Sequence, residues 1–181
     1  REAIDEKTGM TVYDYMSMVI EECRSFVEHF GEEKGSILFT GNTGCGKTFL
    51  SSCIARELIR RCYSVVYLTA TDLFDILSES HFGSREEEEA KERASGILDC
   101  DLLIIDDLGT ELINTFTVSQ LFYCVNERLN RQKGTIISTN LSLNRLRDEF
   151  TERVTSGILS QYRILPLLGE DLRLAKRGYT G

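Results

Sequence analysis

The sequence predicts an α/β fold, a parallel sheet covered by helices on both faces. Short apolar runs of strand length alternate with segments of helical periodicity, and a strand that is apolar at nearly every position is one buried on both faces. The first of these runs also opens into a glycine-rich turn, "GNTGCGKT" (Gly41–Thr48), before a helical segment begins. At 181 residues, 41% hydrophobic and 28% charged, the chain is long enough to bury a full core as one domain.

Residues 10–30 set apolar side chains at helical spacing and form an amphipathic helix, a lead-in over residues 1–34 to the domain proper at 35–181. "GEEKG" ends that helix, and Ser36–Thr40 is the first strand. Phe49–Cys62 is helical, with Arg60 and Arg61 at its end, where cations suit the helix dipole. Val65–Thr69 is a strand, and Thr71–Ser80 is a helix opened by Thr71 or Asp72. The most polar stretch, Gly83–Arg93, reads as a solvated helix face. Leu102–Asp107 is a buried strand ending in carboxylates, Phe116–Arg131 a helix, and Thr135–Thr139 another strand. Leu143–Ser160 forms two short helices and Tyr162–Leu168 the last strand. That strand holds the sole proline, Pro166, which cannot donate to a ladder and so belongs at a sheet edge.

No apolar run approaches the roughly 20 residues needed to cross a bilayer. The six cysteines form no CxxC pair and have no histidine at metal-ligand spacing, so they are expected as free thiols in a reducing cytoplasm. His29 and His81 stand in polar contexts and take no role. A net charge of −8 argues against nucleic-acid binding by bulk electrostatics. The charge is uneven, however: residues 1–127 carry 11 Lys/Arg against 24 Asp/Glu, whereas residues 128–181 carry 10 against 5. A basic C-terminal third suits an anionic partner such as nucleotide phosphates, nucleic acid or an acidic subunit. The chain starts at Arg1 rather than Met, and is expected to be a fragment whose natural N-terminal part is missing.

Three motifs carry chemistry. The octet fits G-x-x-x-x-G-K-[ST] and lies between a strand and a helix, where a phosphate cradle must sit. Gly41, Gly44 and Gly46 let the backbone fold with its N–H groups aimed inward, Lys47 reaches the β- and γ-phosphates, and Thr48 offers a hydroxyl to Mg²⁺. The nucleotide-binding set is thus Gly41, Asn42, Thr43, Gly44, Cys45, Gly46, Lys47, Thr48 and Phe49. In "LLIIDDLG", Asp106 is the second Mg²⁺ partner, and Asp107 can polarise an attacking water. At the end of the next strand, Asn140 in "STN" stands where it can hydrogen-bond the γ-phosphate or that water.

The order of glycine loop, Asp-Asp strand and Asn-terminated strand resembles AAA+ ATPases. "LLIIDDLG", "IISTNL", "NER" (Asn126–Arg128), "ERV" (Glu152–Val154) and "GEDLR" (Gly169–Arg173) resemble, more narrowly, bacterial replicative helicase loaders of the DnaC/DnaI type, over roughly residues 35–175. The transposition helper ATPases are close to these. The resemblance implies a three-layer P-loop NTPase sandwich with a five-stranded parallel sheet of order 5-1-4-3-2 and little or no helical lid. It implies ATP/ADP and Mg²⁺ as cofactors, and the replicative helicase, weakly bound single-stranded DNA and neighbouring copies of the chain as partners. Asn140 then takes the sensor-1 position, Arg153 that of the arginine finger acting on a neighbour's ATP, and Arg173 that of a sensor-2 arginine; guanidinium suits both tasks because it is permanently charged and forks onto phosphate. Lys91, Arg93 and the basic C-terminal third are better DNA contacts than Glu86–Glu89. Many AAA+ proteins have Glu where this chain has Asp107, and the shorter carboxylate favours slow, switch-like hydrolysis. The open alternatives are the transposition helper and, from a different class, a small-molecule P-loop kinase.

Overall fold

The computed structural model describes residues 10–33, 35–79, 87–110 and 113–168. Its framework is five parallel strands in the order β2-β3-β4-β1-β5. They are β1 (Ser36–Thr40), β2 (Val65–Thr69), β3 (Leu102–Leu108), β4 (Gly134–Thr139) and β5 (Tyr162–Pro166). This is the order 5-1-4-3-2 implied by the resemblance, seen from the other edge. The three central strands are the ones whose residues are almost all buried, as runs with no polar face require.

Among the described residues six helices pack on the two faces: α1 (Val12–Glu28), α2 (Lys47–Arg60), α3 (Ala70–Glu79), α4 (Glu87–Asp99), α5 (Thr115–Asn130) and α6 (Leu143–Gln161). Strand alternation divides the core in two. Ile37, Phe39, Ile104 and Ile136 face α1 and α2, while Leu38, Leu103, Ile105 and Ile137 face α3 to α6. Helix α1 buries Val19, Cys23, Phe26 and Val27 in the first of these cores, and Arg163 Nη1 of β5 meets Glu22 at 2.7 Å. It is capped by Thr11, whose hydroxyl oxygen accepts the Asp14 N–H at 3.1 Å.

Pro166 stands on edge strand β5, as its chemistry requires. The Leu167 N–H donates to Thr40 O at 2.7 Å, so the neighbouring position, Pro166, faces the open edge where no donor is needed. The expected pair of short helices over 143–160 is α6 with a break at Thr151, where φ is 64° and ψ 153°. A β-branched residue with that backbone is strained.

Besides Lys47 and Asp106, a third described charge is buried, against the start of β4. Arg128 of α5 is 0% exposed and donates only to neutral acceptors. Its Nε reaches Thr135 Oγ1 at 3.0 Å and Nη2 reaches Gly134 O at 2.5 Å. Its Nη1 reaches the carbonyls of Ile97, Leu98 and Cys100 at 2.5, 3.3 and 3.1 Å. The first two belong to the last turn of α4, whose carbonyls lack partners within the helix and form its negative end.

Candidate nucleotide site

Strands β1, β3 and β4 all end on the same edge of the sheet, the edge at which open α/β sheets bind ligands. Past β1 the chain turns at Gly41, where φ is 143° and an added Cβ would lie 2.5 Å from the Leu167 carbonyl oxygen. A side chain there would collide with backbone that cannot rotate away. At Gly46, with φ 104°, the loop passes into α2 without a side-chain cap. Helix α2 therefore begins with its first-turn amides and positive dipole end at the loop, the arrangement that receives an oxyanion.

Lys47 opens α2 with only 5% of its surface exposed. Its ammonium donates to Gly41 O at 2.6 Å, Asn42 O at 2.9 Å and Asn140 Oδ1 at 2.6 Å. All three protons are used, and one of the acceptors is the Asn at the end of β4. Cys45 is buried beside this ammonium, with Sγ 3.8 Å from Nζ. Phe49, in contrast, is 69% exposed and borders a groove with Ile20 and Leu50 between α1 and α2.

Asp106 sits where β3 loses register with β4. Ile105 pairs with Ile137, but Leu108 pairs with Thr139, so β3 carries one extra residue across this interval. The bulge places Asp107 at φ 57° and leaves it exposed, while Asp106 stays 6% exposed. Four donors hold the Asp106 carboxylate. Oδ1 accepts from Ser138 Oγ, in a short bond, and from the Asp107 N–H at 3.2 Å. Oδ2 accepts from Thr48 Oγ1 at 2.9 Å and Tyr67 OH at 2.8 Å. Burial, together with this carboxylate, pushes the Tyr67 phenol well above its ordinary range, so it stays protonated and donating.

The loop leaving β4 is fixed in a related way. Thr139 Oγ1 donates to Leu108 O at 2.7 Å and accepts the Leu141 N–H at 3.0 Å, which orients the intervening Asn140.

The structure thus brings together Gly41 to Thr48, Asp106, Asp107 and Asn140. Arg153 lies in α6, two residues past the Thr151 break, but its side chain and the whole of Arg173 fall outside the described residues. So does Glu86, whereas Lys91 and Arg93 lie on α4, with Arg93 Nη2 paired to Glu79 at 2.9 Å. Sequence reasoning missed Tyr67. Its only signal is a hydroxyl-tipped aromatic in the middle of a short, mostly aliphatic strand.

The donors at this edge are hard oxygens. Among the described residues no group of three or more His, Cys, Asp or Glu could hold a metal alone. The Thr48 hydroxyl and Asp106 carboxylate form the small oxygen set with which Mg²⁺ is content when phosphate oxygens and waters complete its shell. All six cysteines are free, four of them buried, and burial raises the Cys124 thiol to about 12. No described helix is long and apolar enough to cross a membrane.

Comparison with known proteins agrees with this fold. The replicative helicase loader DnaC of Escherichia coli K12 is 27% identical over 135 residues, covering 75% of this chain and 54% of that protein. The putative ATP-binding protein of insertion sequence IS232 from Bacillus thuringiensis subsp. berliner is 23% identical over 150 residues, 80% of this chain and 58% of that protein. A crystal structure of the DnaC helicase loader superposes with a TM-score of 0.75 at 25% identity, covering 85% of this chain and 90% of that one. The chain spans about half the length of the curated relatives it matches. Residues 12–178 match the IstB-like ATP-binding proteins, and the chain, with its P-loop AAA+ fold, belongs to that family.

Proposed function

We propose that this chain is a Mg²⁺-dependent ATPase acting as an assembly switch, the motor part of a cytoplasmic loader that places a replicative helicase on single-stranded DNA. The observation that carries it is the paired contact of the glycine loop with the strand ends: Lys47 with Asn140, and Thr48 with Asp106. Lys47, Asn140 and Thr48 are groups that a bound triphosphate and its Mg²⁺ would engage, and Asp106 is a carboxylate that the Mg²⁺ would engage. The ATP phosphates sit over the α2 N-terminus, and Lys47 exchanges its acceptors for β- and γ-phosphate oxygens. Thr48 and Asp106 would hold Mg²⁺, which would supply positive charge to stabilise the phosphates. Asp107 polarises the attacking water and Asn140 orients it. A neighbouring copy supplies Arg153 to the transferring phosphoryl group, and Arg173 takes the sensor-2 role.

The identity to DnaC supports the helicase as partner. Co-purification of the full-length protein with its host's replicative helicase, with and without ATP, tests the proposal. ATP-dependent association is expected, and its absence would overturn the loader assignment. Arg153→Ala should preserve nucleotide binding while lowering partner-stimulated hydrolysis. An unchanged rate in the assembled state would remove the finger role. The relative from IS232 favours a second reading, a transposition helper, for which the same experiment with a transposase gives the positive result.

A further inference from the structure

The Asp106 carboxylate is gripped from both neighbouring strands. Ser138 on β4 holds Oδ1, and Tyr67 on the edge strand β2 holds Oδ2 at 2.8 Å. Tyr67 is in register with Ile104, one step behind Asp106 on the same face of β3, so its ring runs along the sheet to bring the phenol over the strand end. The Thr48 bond to Oδ2 is of a different kind. It joins the carboxylate to the glycine loop, and both of its ends are the groups proposed to hold Mg²⁺. When Thr48 turns its oxygen toward a metal, the Tyr67 donor is what remains on Oδ2.

We infer that Tyr67 is a positioning residue for the metal: its hydroxyl locks the Asp106 carboxylate in the orientation that presents the rest of Oδ2 toward Thr48. Tyr67 is 37% exposed on the edge strand of the sheet, so its hydroxyl is not there to satisfy a buried core. Hydrogen bonds that orient a ligating carboxylate in this way commonly alter metal affinity by about 10–100-fold. Since the Ser138 and Asp107 contacts survive its loss, the lower end, about ten-fold, is expected here.

The inference rests on the reading of this site as a Mg²⁺-nucleotide site, and the experiment separates the two. Mn²⁺ serves as the spectroscopic probe, titrated into wild type and Tyr67→Phe at saturating ADP and followed by electron paramagnetic resonance. In parallel, ADP affinity is measured in excess chelator, and thermal unfolding is compared. Tyr67→Phe should weaken Mn²⁺ about ten-fold, with metal-free ADP affinity unchanged and unfolding nearly unchanged. Mn²⁺ affinity within two-fold of wild type would overturn the inference. An equal loss of metal-free ADP affinity would overturn it too, because the ring would then be supporting the loop rather than the metal. Wild type that binds no ADP would overturn the nucleotide reading, and this inference with it.

Discussion

Arg128→Met should be among the most damaging substitutions outside the candidate nucleotide site. A guanidinium that is 0% exposed and has no acid among its hydrogen-bond acceptors must be held by dipoles alone. It is held by the C-terminal turn of α4, the Cys100 carbonyl, and the Gly134 carbonyl and Thr135 hydroxyl at the start of β4. Methionine matches the volume, and exchange of whole buried ionic clusters for apolar residues is often tolerated. That route is closed here, because most of the acceptors are backbone carbonyls and cannot be mutated away together with the charge. Ile97 O retains the Cys100 thiol as a donor, but the contacts to Leu98, Cys100 and Gly134 are lost. At about 1–3 kcal/mol for each acceptor left dry, with partial relaxation, the loss is about 3–5 kcal/mol.

In a domain of this size that lowers Tm by about 6–20 °C. Urea unfolding should give the same loss with little change in slope. Arg128→Lys should fall between, since an ammonium has three donors and no fork. The substitution also has a spatial signature. Arg128 contacts the first residues of β4, whereas Asn140 follows its end, about 16 Å along the strand. ADP affinity well below the melting range should therefore be nearly unchanged. A stability loss under about 1 kcal/mol would refute the claim that these carbonyls depend on the guanidinium.

Lys47→Ala removes the only ammonium in the loop and should lower ADP and ATP affinity by at least ten-fold in calorimetry; retained affinity would remove the loop from the site. Gly41→Ala forces a Cβ to 2.5 Å from the Leu167 carbonyl and should destabilise the fold by about 1–3 kcal/mol while weakening nucleotide binding. Its control is Gly96→Ala in α4, where a Cβ meets nothing within 4 Å, and chemical denaturation should find a gain of about 0.5–1 kcal/mol. Lys133 at 2.9 Å, followed by the Ser64 N–H, holds Asp101 down to about 2. A carboxylate depressed in the folded state stabilises above its unfolded value near 4, and that contribution fades as pH falls through about 2. The stability difference between wild type and Asp101→Asn should thus be flat above pH 4 and shrink below it, and a difference independent of pH would contradict the assignment.

What was legible in the sequence was what local backbone chemistry decides. The octet Gly41–Thr48 and the Asp106-Asp107 pair reveal themselves because a phosphate cradle needs glycines at fixed spacing and a buried strand ends where its carboxylates begin. Pro166 announced an edge by the same kind of reasoning, since a missing donor restricts one strand whatever its neighbours are. Tyr67 and Arg128 were not legible, because pairings distant in sequence decide what they do. Tyr67 matters only once β2 lies beside β3. Within "ERLNRQK", Arg128, Arg131 and Lys133 read alike as the basic end of a helix. The fold then sends Arg131 to Asp99 at 2.6 Å and Lys133 to Asp101 at 2.9 Å, both partly exposed, and draws Arg128 inside. The difference lies in direction around the helix relative to the α4 C-terminus, which the pattern of charges does not encode. The two residues also act at opposite ends of the sheet: Arg128 ties the starts of the strands to α4, and Tyr67 ties an edge strand to the Asp106 carboxylate. A substitution at one should therefore leave the other's readout intact, so Arg128→Met combined with Tyr67→Phe should be additive in stability and in Mn²⁺ affinity.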